Sequence, residues 1–232
     1  MTGMPQNAKQ QAAEAALKLV EDGMKIGLGT GSTAYYFVEG LARRVAEGLT
    51  VQCVPTSEAT RQQAEQAQIP LCDLDSLGRL DLTVDGADEI DPQLRLIKGG
   101  GAALLREKIV AAASDRMIVI ADQSKLVDRL GAFALPVEVN MFSHGVTARM
   151  ISDVIHQTGH QGAVTLREKN GQTIVTDGGH YIYDCALSAI AHPEELAAGL
   201  NMIPGVVEHG LFINLCAQAF IADGVQLHEL TR

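Results

Sequence analysis

The sequence predicts an α/β protein, with a mainly parallel sheet joined to a smaller α+β unit. Three observations carry this. Short apolar runs alternate with helix-period segments through the first half, the pattern of βα crossovers. Past about Gly131 that alternation stops and extended runs take over. Among them is Asn170-Gly171, a two-residue hairpin signal and so a mark of antiparallel pairing.

The elements follow in order. Gln6–Glu21 is Ala-rich and reads as a helix ended near Gly23, and Met24–Leu28 is a short apolar strand. Phe37, Val38, Leu41 and Val45 give Thr33–Glu47 a helical period. Leu49–Val54 reads as a strand, Ser57–Gln68 as a helix capped by Ser57, and Ile69–Leu74 as a strand. Leu80–Val84 is a strand, Leu94–Ile97 a further extended run, Ala102–Ala113 a helix and Met117–Ala121 a strand. In the second unit Leu135–Val139 is extended, Val146–Gln157 helical, and Ala163–Glu168 and Thr173–Thr176 flank the hairpin. Tyr181–Leu187 is a strand, and Pro193 opens a helix to Asn201. Val206–Leu215 and Ala217–Ile221 are expected to rejoin the first sheet. The expected division is therefore residues 1–130 with 207–232 in one unit and 131–206 in the other.

Bulk properties exclude several classes. The chain has 232 residues, 47% of them apolar, enough for a sizeable core. Its net charge of −10, with no block of Lys and Arg, disfavours nucleic acid. No apolar run approaches the roughly 18 residues of a membrane span. The start, MTGMPQNAKQQAAEAAL, lacks the apolar core of a signal peptide. The four cysteines, Cys53, Cys72, Cys185 and Cys216, sit among apolar neighbours without CxxC spacing, as buried free thiols of a reducing compartment do. A cytoplasmic enzyme or binding protein fits this profile.

Chemistry-bearing residues gather in turns after strands, where open parallel sheets bind ligands. Gly27-Leu28-Gly29-Thr30-Gly31-Ser32-Thr33 lets the backbone approach an anion at a helix start, although a tight strand–helix turn alone would look the same. It lacks the third glycine of GxGxxG and the GK[ST] of a Walker loop. Asp85-Gly86-Ala87-Asp88 sets two carboxylates three positions apart, suited to proton transfer or to a plain acidic turn. Lys98-Gly99-Gly100-Gly101 puts an ammonium beside an amide nest, and Glu107 follows in the second turn of the expected helix. Asp122-Gln123-Ser124-Lys125 adds a second lysine past another strand. No metal set stands out; His156 and His160 are interrupted by Gly159. GxSxG is absent.

These residues together resemble the A-type ribose-5-phosphate isomerase family. The resemblance rests on GLGTGSTA (27–34), VDGADEID (84–91), IKGGGAALLREK (97–108), IADQSK (120–125), LPVEV (135–139), VTDGG (175–179) and IPGVVEHGLF (203–212), in order over nearly the whole chain. It departs at Leu105, where the family usually has threonine. The resemblance implies a Rossmann-like domain plus the smaller α+β domain, and interconversion of ribose 5-phosphate and ribulose 5-phosphate without metal or nucleotide. It implies Glu107 as general base through a cis-enediolate, and Asp85, Asp88 and Lys98 for ring opening and hydroxyl contacts. Lys98 with the amides of Gly99, Gly100 and Gly101 would hold the oxyanion. Thr30, Gly31, Ser32 and Thr33, with Gly86, Ala87 and Lys125, would line the substrate site. It also implies a homodimer or tetramer with contacts through the smaller domain. Amino-sugar-phosphate isomerases, CoA transferases, a sugar-phosphate sensor and a dinucleotide dehydrogenase are the rival readings. The last would want an acidic residue ending the second strand, which ends at Val54-Pro55-Thr56.

Overall fold

The computed structural model describes residues 7–232; Gln6, assigned above to the first helix, lies outside the described residues. The first half runs α1 (Ala8–Leu17), β1 (Lys25–Leu28), α2 (Ser32–Ala46), β2 (Gln52–Pro55), α3 (Glu58–Gln66) and α4 (Leu74–Leu77). It continues with β3 (Leu82–Asp85), β4 (Glu89–Ile90), β5 (Leu96–Ile97), α5 (Leu104–Ala112) and β6 (Met117–Asp122), closed by a 3₁₀ turn, Gln123–Lys125. The second half holds β7 (Leu135–Val139), α6 (His144–Gln157), β8 (Ala163–Leu166), β9 (Glu168–Lys169), β10 (Gln172–Thr173) and β11 (Tyr181–Ala186). It ends with α7 (Pro193–Asn201), β12 (Val206–His209), β13 (Leu211–Phe212), β14 (Cys216–Ala222) and β15 (Leu227–Thr231).

The central sheet has the order β15-β14-β6-β3-β1-β2, parallel except for the edge strand β15. Its strands carry side chains into both faces at a period of two. On β6, Ile118 and Ile120 join Ile26, Phe37 and Leu41 in the core beneath α1 and α2. Met117, Val119 and Ala121 pack the other way, with Ile90, Leu96 and Phe212. Each fully buried side chain of this size contributes about 1.5–3 kcal/mol. From β1 the chain moves outward to β2 and then crosses back to β3, on the other side of β1. The order therefore reverses between β1 and β3, and a crevice opens past their carboxyl ends.

A four-stranded antiparallel sheet, β12-β7-β11-β8, packs against α6 and α7 around Val137, Ile151, Leu196 and Leu200. The Asn170-Gly171 signal is realised: both residues have positive φ and join β9 to β10.

Four local expectations need correction. Ile69–Leu74 makes a single bridge, Leu71 to Cys53, and then turns into α4, so it is no strand. Val206–Leu215 does not rejoin the central sheet. It breaks at Gly210, where a Cβ would stand 2.2 Å from the Lys98 carbonyl oxygen. Residues before the break pair with β7 and those after it with β5; the chain returns to the central sheet at β14, beside β6. The strand before the triple glycine, β5, belongs to a three-stranded antiparallel sheet, β13-β5-β4. Finally, Ala102 takes φ +60°, which holds it out of the helix, so α5 starts at Leu104 and Glu107 sits in its first turn. Cys53, Cys185 and Cys216 are buried free thiols, whereas Cys72 is half-exposed.

Candidate active site

The switch-point crevice receives the Gly-rich turn and the Asp85 turn side by side. Gly29 N–H bonds the Val84 carbonyl at 2.9 Å, and Thr30 N–H donates to Asp85 Oδ1 at 3.0 Å. A Cβ at Gly29 would lie 2.2 Å from Asp85 Oδ1, so only glycine lets the two turns meet. Gly31 caps α2 with φ +119° and without a side-chain bond, leaving first-turn N–H groups for a ligand. The Thr30 hydroxyl meets those of Thr56, Ser57 and Thr60 at 2.8–3.0 Å, which fixes this turn against α3.

Lys98 is brought over the crevice by β5. Its Nζ donates to the Gly86 carbonyl at 2.6 Å and stands 3.1 Å from Asp85 and 3.2 Å from Glu107. All three side chains are almost completely buried. The Phe212 ring lies beneath Lys98, 5.6 Å from Nζ to centroid. Burial opposes the Lys98 charge, but Asp85 and Glu107 overcome it and hold its pKa above the ordinary lysine value. Burial, reinforced by the Asp85 charge, pushes Glu107 up to about 8 against the pull of Lys98. Burial also raises Asp85. Two buried carboxylates thus share one ammonium, an arrangement that favours keeping a proton on one of them. Glu107 Oε1 pairs with Lys98, while Oε2 has no hydrogen-bond partner among the described residues.

The cavity beside this triad measures about 110 Å³. Thr30, Gly31, Ser32, Thr33, Gly86, Ala87, Asp88, Lys98, Gly99, Gly101, Glu107 and Lys125 line it. Asp85, fully buried, reaches the cavity through Lys98, 3.1 Å away, and Gly100 donates its amide to Asp88 Oδ2 at 2.8 Å. Every site residue singled out in the sequence is therefore in one place. The amide nest is smaller than the sequence suggested, since Asp88 occupies the Gly100 N–H. Leu105 lies outside, lining a separate small cleft with Glu138, Thr176 and Asp177.

Sequence reasoning missed Lys9, whose Nζ donates to Ser32 Oγ at 2.8 Å from the start of α1. It lies at the rim of a groove of about 730 Å³ that shares Thr30, Gly31 and Ser32 with the cavity. A lone lysine in an Ala/Gln-rich helix carries no local signal; only the packing of α1 on α2 reveals it. His160 serves the fold, accepting the Ala191 N–H at Nε2. Among the described residues no three His, Cys, Asp or Glu side chains are grouped to hold a metal ion.

The fold and pocket define an α/β protein whose parallel sheet carries, at its switch point, a small polar cavity beside a buried lysine and two buried carboxylates. The family profile of ribose 5-phosphate isomerase A (phosphoriboisomerase A) matches residues 52–225. Ribose-5-phosphate isomerase A of Nitrobacter hamburgensis is 60% identical over 224 residues, covering 95% of this chain and 97% of the relative. That of Bradyrhizobium diazoefficiens is 57% identical over 229 residues, with 97% and 95% covered. Among solved structures, the ribose 5-phosphate isomerase of Plasmodium falciparum superposes with TM-score 0.92 at 36% identity, covering 97% of each chain. The enzyme of Methanocaldococcus jannaschii gives 0.89 at 38%, covering 97% of this chain and 98% of its own. A D-ribose-5-phosphate isomerase solved with phospho-erythronic acid gives 0.89 at 36%, with 97% and 98% covered. The chain belongs to the ribose 5-phosphate isomerase A family, and its activity is the interconversion of ribose 5-phosphate.

Proposed function

We propose that this pocket interconverts D-ribose 5-phosphate and D-ribulose 5-phosphate through a cis-enediolate, with Glu107 as the general base. The observation that carries the reading is Glu107 itself: a buried carboxylate, raised to about 8, with one oxygen on Lys98 and the other unpartnered beside the cavity. Glu107 takes the C2 proton of the open-chain aldose and the electrons move onto the carbonyl oxygen at C1; the proton of the C2 hydroxyl passes to that oxygen, the C2–O bond becomes the ketone, and Glu107 returns its proton to C1. Lys98, with the amides of Gly99 and Gly101, offsets the charge on the oxygens. Asp85 and Asp88 hold sugar hydroxyls and serve ring opening. The first turn of α2, from Thr30 to Thr33, takes the phosphate with Lys9, and Lys125 closes the opposite wall. That a similar enzyme was solved with phospho-erythronic acid, itself a phosphorylated sugar acid, supports an anionic sugar ligand here. No step requires a metal or cofactor.

The same reading takes residues 1–130 with 207–232 as the catalytic unit and 131–206 as the smaller one. The core around Val137 and Ile151, distinct from those of the central sheet although Ile97, Leu130 and Leu211 join it, supports this division. Copies of the chain pair through the smaller unit as a homodimer. Phe142, 85% exposed, with Met141, Val146 and Met150 nearby in sequence, supports a contact there. The enzyme works in the cytoplasm, in line with the absence, among the described residues, of a helix long and apolar enough to cross a membrane.

The test is direct. EDTA-treated protein is mixed with ribose 5-phosphate and ribulose 5-phosphate is followed, with Glu107→Gln in parallel. Turnover that collapses in the variant is expected. Thermal stabilisation by the sugar phosphate without turnover would instead favour a sensor, and neither effect would send the search to amino-sugar phosphates and acyl-CoA.

A further inference from the structure

Outside the acid–base triad, Arg167 lies between β8 and β9, far in sequence from every motif of the pocket. Its side chain is only 11% exposed. Its backbone is fixed on both sides, by Arg167 N–H to the Ile182 carbonyl and by Ile174 N–H to the Arg167 carbonyl. Two edges of the guanidinium, Nε and Nη2, donate to the Asp184 carboxylate, the first at 2.8 Å. A bidentate pair of this kind sets the plane and reach of the group. The remaining nitrogen, Nη1, leaves the small sheet and donates to the Gly99 carbonyl at 2.7 Å.

Gly99 is bonded to Gly100 by one peptide unit, and that unit is held at both ends. Its carbonyl accepts from Arg167 Nη1 and, at 3.0 Å, from the Ala102 N–H of the same turn, and its N–H, on Gly100, donates to Asp88 Oδ2 at 2.8 Å. In a trans peptide these two groups point in opposite directions, so fixing one end aims the other. The surroundings leave little slack. Gly99 has φ +113°, a Cβ there would meet Leu104 at 2.7 Å, and a Cβ on Gly100 would meet Asp88 at 2.7 Å. Glycine permits this geometry but does not select it, because glycine backbones are the least constrained. The selection has to come from the partners.

We propose that Arg167 is a positioning residue for the isomerase pocket. Held by Asp184, it orients the Gly99–Gly100 peptide, and through that single peptide it sets the Asp88 carboxylate at the cavity wall. Arg167 touches no substrate. It polarises a chain that runs from guanidinium to carbonyl to amide to carboxylate, in which each hydrogen bond strengthens the next. It also ties the antiparallel sheet to the loop that directly follows Lys98. The Asp88 charge is among the influences that hold both Lys98 and Glu107 up, so its placement reaches the whole triad. The inference rests on the acid–base reading of the pocket given above.

The experiment is a double-mutant cycle of Arg167→Met and Asp88→Asn, with kcat and KM measured separately and Glu107→Gln as the reference. Arg167→Met is expected to lower kcat/KM by about 10- to 100-fold, the scale of a sub-ångström to 1 Å misplacement. The double variant is expected to be no worse than Asp88→Asn alone, because the arginine acts through that carboxylate. Multiplicative losses in the cycle would overturn the proposal, as would a lowered melting temperature with unchanged kinetics well below it. If Arg167→Met gives no folded protein by circular dichroism, the same cycle is run with Arg167→Lys. That variant keeps the charge but not the fork, and it is held to the same criterion. If Glu107→Gln and Asp88→Asn both leave turnover intact, the acid–base reading itself falls. If they abolish turnover while Arg167 shows no coupling, only the positioning role falls.

Discussion

Replacing Glu107 with glutamine should make the protein both slower and more stable, and the structure sets the size of each effect. The carboxylate is buried, and its pKa stands at about 8 against an ordinary 4.5. The folded state therefore binds more protons than the unfolded chain between those values, and stability falls as pH rises through that window. At about 1.4 kcal/mol per unit the full shift gives a ceiling of roughly 4–5 kcal/mol. Lys98, 3.2 Å away, loses a partner in the variant but keeps Asp85 at 3.1 Å. Because the raised pKa already contains the pull of Lys98, the variant gains up to about 4 kcal/mol at pH 8.5 and under about 1 kcal/mol at pH 5. Urea unfolding of both proteins at the two pH values measures it. Turnover should fall by about 10²-fold or more, the usual scale for a lost general base. In the parent, kcat/KM should climb as pH rises through about 8, since the base works deprotonated. A variant that is less stable at every pH, or that turns over at a near-normal rate, would refute the reasoning. Substrate sites commonly store this kind of unfavourable burial, and relieving it trades activity for stability.

Three other perturbations follow from the same geometry. Lys98→Ala should raise KM and lower kcat together, and cost about 3–5 kcal/mol by leaving two buried carboxylates without their cation; a change in melting temperature with kinetics intact would make Lys98 purely structural. Gly29→Ala puts a Cβ 2.2 Å from Asp85 Oδ1 and 2.5 Å from its Cα, so backbone must move; the expected cost is about 1–3 kcal/mol with a collapse of activity, and full activity would show that Asp85 need not sit there. His209, buried with Lys108 nearby, is held down at about 4, and its Nδ1 accepts the Leu211 N–H. The folded state there binds fewer protons than the unfolded chain, so this stability is present above pH 6.5 and lost as pH falls toward 4. His209→Gln should flatten that acid limb by about 2 kcal/mol, and urea curves of parent and variant that run parallel from pH 7 to 4.5 would contradict it.

Much of the site was legible because its chemistry is local. Glycines flanking short apolar runs, an Asp pair around Gly86-Ala87 and a lysine before three glycines are turn features, and turns after parallel strands converge by topology. What stayed hidden acts across the chain. Lys9 reaches Ser32 over 23 positions, and Arg167 reaches Gly99 over 68. Neither has a neighbour that betrays its role. The run Val206–Leu215 misled because apolar content does not say which sheet a strand joins. Gly210, packed against the Lys98 carbonyl and Pro136, divided it between two.

By itself the sequence determined the fold class, the order of most elements and the residue types of the pocket, because periodicity and turn chemistry are short-range properties. The tertiary structure alone decided which of the like-charged groups do what. Glu89 accepts the backbone N–H groups of Gly131 and Phe133 at 2.6 Å, and Asp91 binds Arg95. Asp85 and Asp88, from the same seven-residue stretch, serve the cavity instead. Glu107 is an ordinary helix glutamate until burial beside Lys98 and Asp85 lifts its pKa to about 8. Charge state and accessibility depend on what surrounds a carboxylate in space, and in this protein the surroundings come from strands and loops far apart in the chain.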